Sequence, residues 1–164
     1  MKAPSLLKPE LLYWEDFPAG ETMEMGSHTF TEAEIIAFAR QFDPQPFHVD
    51  PEAAKNSFFK GLIASGWHTC AIAMRLMVDK YVNRSASLGS PGLDNIRWLA
   101  PVRAGDIITY RRTTTGARVS ESKPDIGLLQ SRWEAINQRG ETVMTMEGWG
   151  MFRRRNRGMS PPGA

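Results

Sequence analysis

The chain has 164 residues and a mass of 18.4 kDa, enough for one domain with its own core, and its 41% hydrophobic and 23% charged residues exclude a collagen-like, coiled-coil or disordered chain. The net charge of +2 is smaller than the charge of Arg153, Arg154, Arg155 and Arg157 alone, so the rest is net negative, which argues against whole-domain attraction to nucleic acid. Cys70 is the sole cysteine, no stretch approaches the ~20 apolar residues of a membrane span, and prolines and acids break up the first residues where a signal peptide would be apolar, so a reducing, cytoplasmic setting is expected.

Residues 1–20 read as an extended leader anchored by Tyr13, Trp14 and Phe17, with a turn at Pro18-Ala19-Gly20. Alternation over residues 22–30 predicts a first strand. Thr31 and Glu34 are spaced as a capping box, with the Thr31 hydroxyl set to accept from the Glu34 N–H. Ile35, Phe38, Ala39 and Phe42 then recur at helical spacing, and Pro44 stops that helix by excluding Asp43 from the α region. Residues 43–48 form a loop stiffened by Pro44 and Pro46. Asp50 reads as the N-cap of a short helix that starts with Pro51.

A small-residue connection, Gly61 to Gly66, leads into a second long helix over residues 67–82. Its first half is apolar almost all round, which predicts burial. Residues 83–92 look like a Ser/Gly/Pro-rich loop. Strands are predicted at 93–99, 107–115, 128–137 and 142–152, with turns at 100–106, 116–127 and 138–140. The basic tail, 153–164, is expected to be disordered behind a single domain spanning 1–152. Strands that cluster late fit an α+β fold, one antiparallel sheet around an apolar helix, and not a doubly wound parallel sheet.

The densest chemistry lies between Asp43 and His48. If their loop curls, a carboxylate and an imidazole can orient one water and move its proton near neutral pH. Gly66 opens the buried helix, where a backbone N–H has no intrahelical partner and lies at the positive end of the macrodipole. Such a donor can hold a carbonyl oxygen that gains charge in a transition state. The run Asp43-Pro44-Gln45-Pro46-Phe47-His48-Val49-Asp50 resembles the Asp-x-Asn-Pro-x-His-x-Asp motif of the MaoC-like dehydratases, which include the (R)-specific enoyl-CoA hydratases. Residues 13–20, 61–66 and 95–106 are also similar to that family.

The resemblance implies a hot-dog fold, a homodimer or higher homo-oligomer, and an acyl-CoA substrate needing no metal or redox cofactor. It makes Asp43 and His48 the catalytic pair and Gly66 the donor to the thioester oxygen, with Gln45 and Ser65 beside the substrate. The implied reaction is reversible syn addition of water to a 2-enoyl-CoA. Which of the pair is the base stays open, because coupled groups titrate as a unit. Gln45 stands where the family has Asn, one methylene longer. Two other readings remain, a hot-dog thioesterase and a non-catalytic acyl-CoA-binding subunit. Asp50 is read as a cap, His68 as a buried histidine bonded to backbone, His28 as a strand surface residue, and Met74 and Met77 as core or acyl-channel lining. The spacing of Asp43, His48, Asp50 and His68 fits no metal motif.

Overall fold

The protein is described over residues 10–155 by a computed structural model. Five strands, β1 (Thr22–Thr29), β2 (Ser87–Trp98), β3 (Ile107–Val119), β4 (Ile126–Ile136) and β5 (Thr142–Arg153), form one antiparallel sheet in the order β1-β3-β4-β5-β2. Between β1 and β2 lie α1 (Glu32–Phe42), α2 (Pro46–Val49), α3 (Pro51–Lys55) and the long α4 (Gly66–Lys80). This is the α+β arrangement of one antiparallel sheet and a long helix expected from the order of elements, and the hot-dog fold that the family resemblance implies. Among the described residues no helix is long and apolar enough to cross a membrane.

Strand β4 shows why the sheet holds α4. Its residues are buried in strict alternation, so Leu129, Trp133 and Ala135 share one face. On α4, Thr69, Ala73 and Met77 recur every four residues and are buried. The Tyr110 hydroxyl of β3 donates to the Thr69 carbonyl at 3.2 Å. Helix α4 contains Thr69, Cys70, Ile72 and Val78, all modest helix formers. Packing therefore sustains it: full burial of a side chain such as Ile108, Leu129 or Met144 contributes about 1.5–3 kcal/mol.

Four expectations are corrected. Residues 87–92 are not loop but the start of β2, which pairs with β5 through successive bulges, with Gly89 and Gly92 at φ 91° and 153°. The Gly116–Gly127 turn is shorter, since β3 carries on through Gly116 with a register shift and turns only after Val119. Helix α4 is not buried all round, because Trp67, Ala71 and Met74 form an exposed apolar stripe.

The tail is the fourth correction. Arg153 ends β5. Arg154 is buried, its guanidinium 5.3 Å over the Trp14 ring, and it donates to the Pro124 carbonyl at 2.7 Å. Arg155 pairs with Asp16 at 2.7 Å. Partners about 140 residues away in sequence left no local signal for this clasp. The remainder of the expected tail, 156–164, lies outside the described residues. Residues 1–9 of the expected leader also lie outside the described residues; in its described part Trp14 and Phe17 are buried, and the Trp14 indole N–H donates to the Leu128 carbonyl at 3.1 Å.

Candidate active site

Three chain segments build the site. Helix α1 ends at Phe42, and Asp43 follows as its C-cap, its backbone outside the helical region and its N–H donating to the Ala39 carbonyl. The expected stiff loop is only half loop, because Pro46 at the first helical position starts the single turn α2, which carries His48. The Gly61–Gly66 connection is stitched to this turn. Ile63 N–H donates to the Phe47 carbonyl at 3.2 Å, and Ala64 N–H donates to the Val102 carbonyl at 2.8 Å. Asp50 caps α3, accepting from the Glu52 and Ala53 N–H groups, and takes no part in the site.

The curl required of residues 43–48 is present. Asp43 Oδ2 lies 3.3 Å from His48 Nε2. His48 is buried and its Nδ1 lies 2.7 Å from the Ile63 carbonyl oxygen. A carbonyl only accepts, so Nδ1 carries a proton toward Ile63, and Nε2 is the ring atom that faces Asp43. Asp43 is held by two donors: Gln45 Nε2 gives to Oδ1 at 2.8 Å, and Ser65 Oγ gives to Oδ2 at 2.7 Å. Burial pushes the Asp43 carboxyl up. The hydrogen bonds from Ser65 and Gln45 and the neighbouring His48 outweigh it, and the net pKa lies below the usual aspartate value. Asp43 is therefore a carboxylate at neutral pH.

Ser65 does more than turn the chain. Its Oγ also caps α4 by accepting from the Trp67 N–H at 3.3 Å, so one hydroxyl ties the helix start to the carboxylate. The Gly66 N–H occupies the first helical position and has no carbonyl behind it in the ladder. A Cβ at Gly66 would sit 2.4 Å from the Trp98 indole, so only glycine fits against that ring. Asp43, His48 and Gly66 line one cavity of about 520 Å³, walled by Phe47, Trp67, Trp98 and Val143. That volume suits a small-molecule site.

Trp98 is the site neighbour that sequence reasoning did not place here. The signal was present, since the strand carrying it leads straight into Pro101-Val102, which lines the same cavity. His68 is buried as expected, but it has no backbone partner. Its Nδ1 finds no acceptor among the described residues, its Nε2 is 3.8 Å from Glu34, and its ring stacks on Phe38 at 4.5 Å. His28 is half buried and bonds the same Glu34 carboxylate. Asp43, His48, Asp50 and His68 thus fall at three separate places. Among the described residues no three His, Cys, Asp or Glu side chains converge on a metal position.

The family model of the MaoC like domain matches residues 16–128. A solved MaoC-like dehydratase from Rhodospirillum rubrum is similar at 38% identity with a TM-score of 0.81, covering 88% of this chain and 99% of that one. The structure of the (R)-hydratase from A. caviae involved in PHA biosynthesis has a TM-score of 0.66 at 26% identity, over 83% of this chain and 97% of that one. Among curated proteins, the (R)-specific enoyl-CoA hydratase of Rhodospirillum rubrum is 31% identical over 114 residues, 65% of this chain and 72% of that protein.

Proposed function

The chain belongs to the MaoC-like domain family, and from that premise we propose that it adds water reversibly across the double bond of a 2-enoyl-CoA to give a 3-hydroxyacyl-CoA. The observation that carries the reading is the 3.3 Å approach of Asp43 Oδ2 to His48 Nε2 in the cavity lined by Gly66.

The Gly66 N–H donates to the thioester oxygen and draws electrons from the double bond, which makes C3 electrophilic. One such donor lowers a barrier by about 3 kcal/mol. In the form of the pair that takes a proton, Asp43 and His48 Nε2 are both acceptors, and a water that gives one hydrogen to each has its oxygen lone pairs left for C3. As the C3–O bond forms, the pair takes one water proton and returns it to C2, so the elements of water add to one face and the product is syn. Gln45 and Ser65 hold the carboxylate aimed and ionised. Each step draws on these side chains and one amide, so the proposal calls for no metal or redox cofactor.

The chain acts in this reading as a homodimer or higher homo-oligomer, with the stripe of Trp67, Ala71 and Met74 covered by a second copy. The test follows 2-enoyl-CoA absorbance and free thiol together on addition of protein. Falling absorbance without thiol supports hydration. Thiol release from saturated acyl-CoA identifies a thioesterase, and acyl-CoA binding without either change identifies a non-catalytic subunit. Either result overturns the proposal.

A further inference from the structure

A second cavity of about 390 Å³ continues the seam between α4 and the β2/β5 edge. It is lined by Cys70, Met74, Met77, Leu93, Trp133 and Met146, among others. No residue lines both cavities, yet both draw on α4, β2 and β5. On α4, Gly66 and Thr69 face the first and Cys70, Met74 and Met77 the second. On the ribbon, Trp98 pairs with Met144, and two residues further along Ile96 pairs with Met146.

The wall between them is a set of side-chain contacts. The Trp98 indole lies beside the Cys70 sulfur, and the Cys70 thiol donates to the Met144 sulfur at 3.4 Å. Trp98 thus belongs to the catalytic cavity and touches a residue of the other one. Its ring is half exposed and meets the exposed Trp67 edge-on at 5.3 Å. The second cavity is almost wholly apolar, with Met side chains that adapt to flexible hydrocarbon.

We propose that Trp98 is a specificity-determining residue: with Cys70 and Met144 it stops the acyl chain at the end of the catalytic cavity and shuts off the apolar groove beyond, an extension for longer chains. The inference rests on the enoyl-CoA reading. A chain whose thioester oxygen lies on the Gly66 N–H starts directly beside the Trp98 ring, because that ring fills the space against Gly66. Hydrocarbon that grows along the seam meets the indole first.

The experiment measures kcat/KM for straight 2-enoyl-CoA substrates from four to twelve carbons, with wild type, Trp98→Ala, and Trp98→Ala combined with Leu93→Trp, which refills the groove with a second indole. The unmodified protein is expected to favour short chains. Trp98→Ala should raise the long-to-short ratio of kcat/KM by at least about tenfold, the scale of even one accommodated methylene, and the double variant should reverse the gain. Thermal melts confirm that both variants are folded. Should Trp98→Ala not fold, the milder Trp98→Leu carries the same test. An unchanged ratio, or a gain that Leu93→Trp leaves intact, overturns the proposal. If wild type turns over no enoyl-CoA, the functional reading itself has failed, a distinct result.

Discussion

Ser65 shows how much one hydroxyl can be asked to do. It donates to Asp43 and accepts from Trp67 N–H, so Ser65→Ala loses two functions at once. The lost cap costs about 1 kcal/mol of stability, read from urea unfolding. The lost donor lets the Asp43 pKa rise, since that bond helps hold it down. The acid limb of the kcat/KM profile should then move to higher pH, while an unmoved limb would mean that Asp43 is not the group titrating there. Arg154 makes the parallel case for stability. Arg154→Met should destabilise by about 1–3 kcal/mol, because it removes the charged donor to the Pro124 carbonyl and the cation over Trp14. A wild-type melting temperature would contradict the clasp.

At the scale of elements, β1, α1 and α4 meet at His28, Glu34 and His68. His68 is buried, and desolvation is the main reason its pKa lies below the usual histidine value. The nearby His28 adds to this, and the Glu34 carboxylate opposes it. In the window between the lowered value and about 6.5, the unfolded chain binds more protons than the folded one, so stability rises with pH there. It is fully present above the window and lost as the pH falls through it. The urea midpoint should drop between pH 8 and pH 5.5, and His68→Phe, which keeps a ring against Phe38, should flatten that drop. An equal drop in the variant would remove His68 as its source. Element boundaries also mark what the sequence could say. Thr31, Pro44, Asp50 and Pro51 act through their own backbone within a few residues, so the start and stop of α1 and the start of α3 were legible. The glycines of β2 were misleading because their punctuation is local, whereas β5 holds that strand from some sixty residues away. The bond from His48 to Ile63 and the Trp98 ring over Gly66 are likewise tertiary facts.

For the whole molecule, folding places the cap of α1, the turn α2 and the first residue of α4 around a single cavity. The Asp43/His48 pair could be named from sequence, but its aim depends on Ser65 and Ile63, which only the fold supplies. The exposed stripe of Trp67, Ala71 and Met74 predicts assembly. Sedimentation should give at least twice the 18.4 kDa of one chain, and Met74→Lys should shift the population toward single chains. A monomer at micromolar concentration would contradict the proposed covering copy. The most direct test of the central claim is the initial rate of 2-enoyl-CoA consumption by wild type, Asp43→Asn and His48→Ala, each checked for fold by circular dichroism. The account predicts turnover by wild type and a loss of about 10²–10⁴-fold in each variant, whereas full activity in both would contradict it.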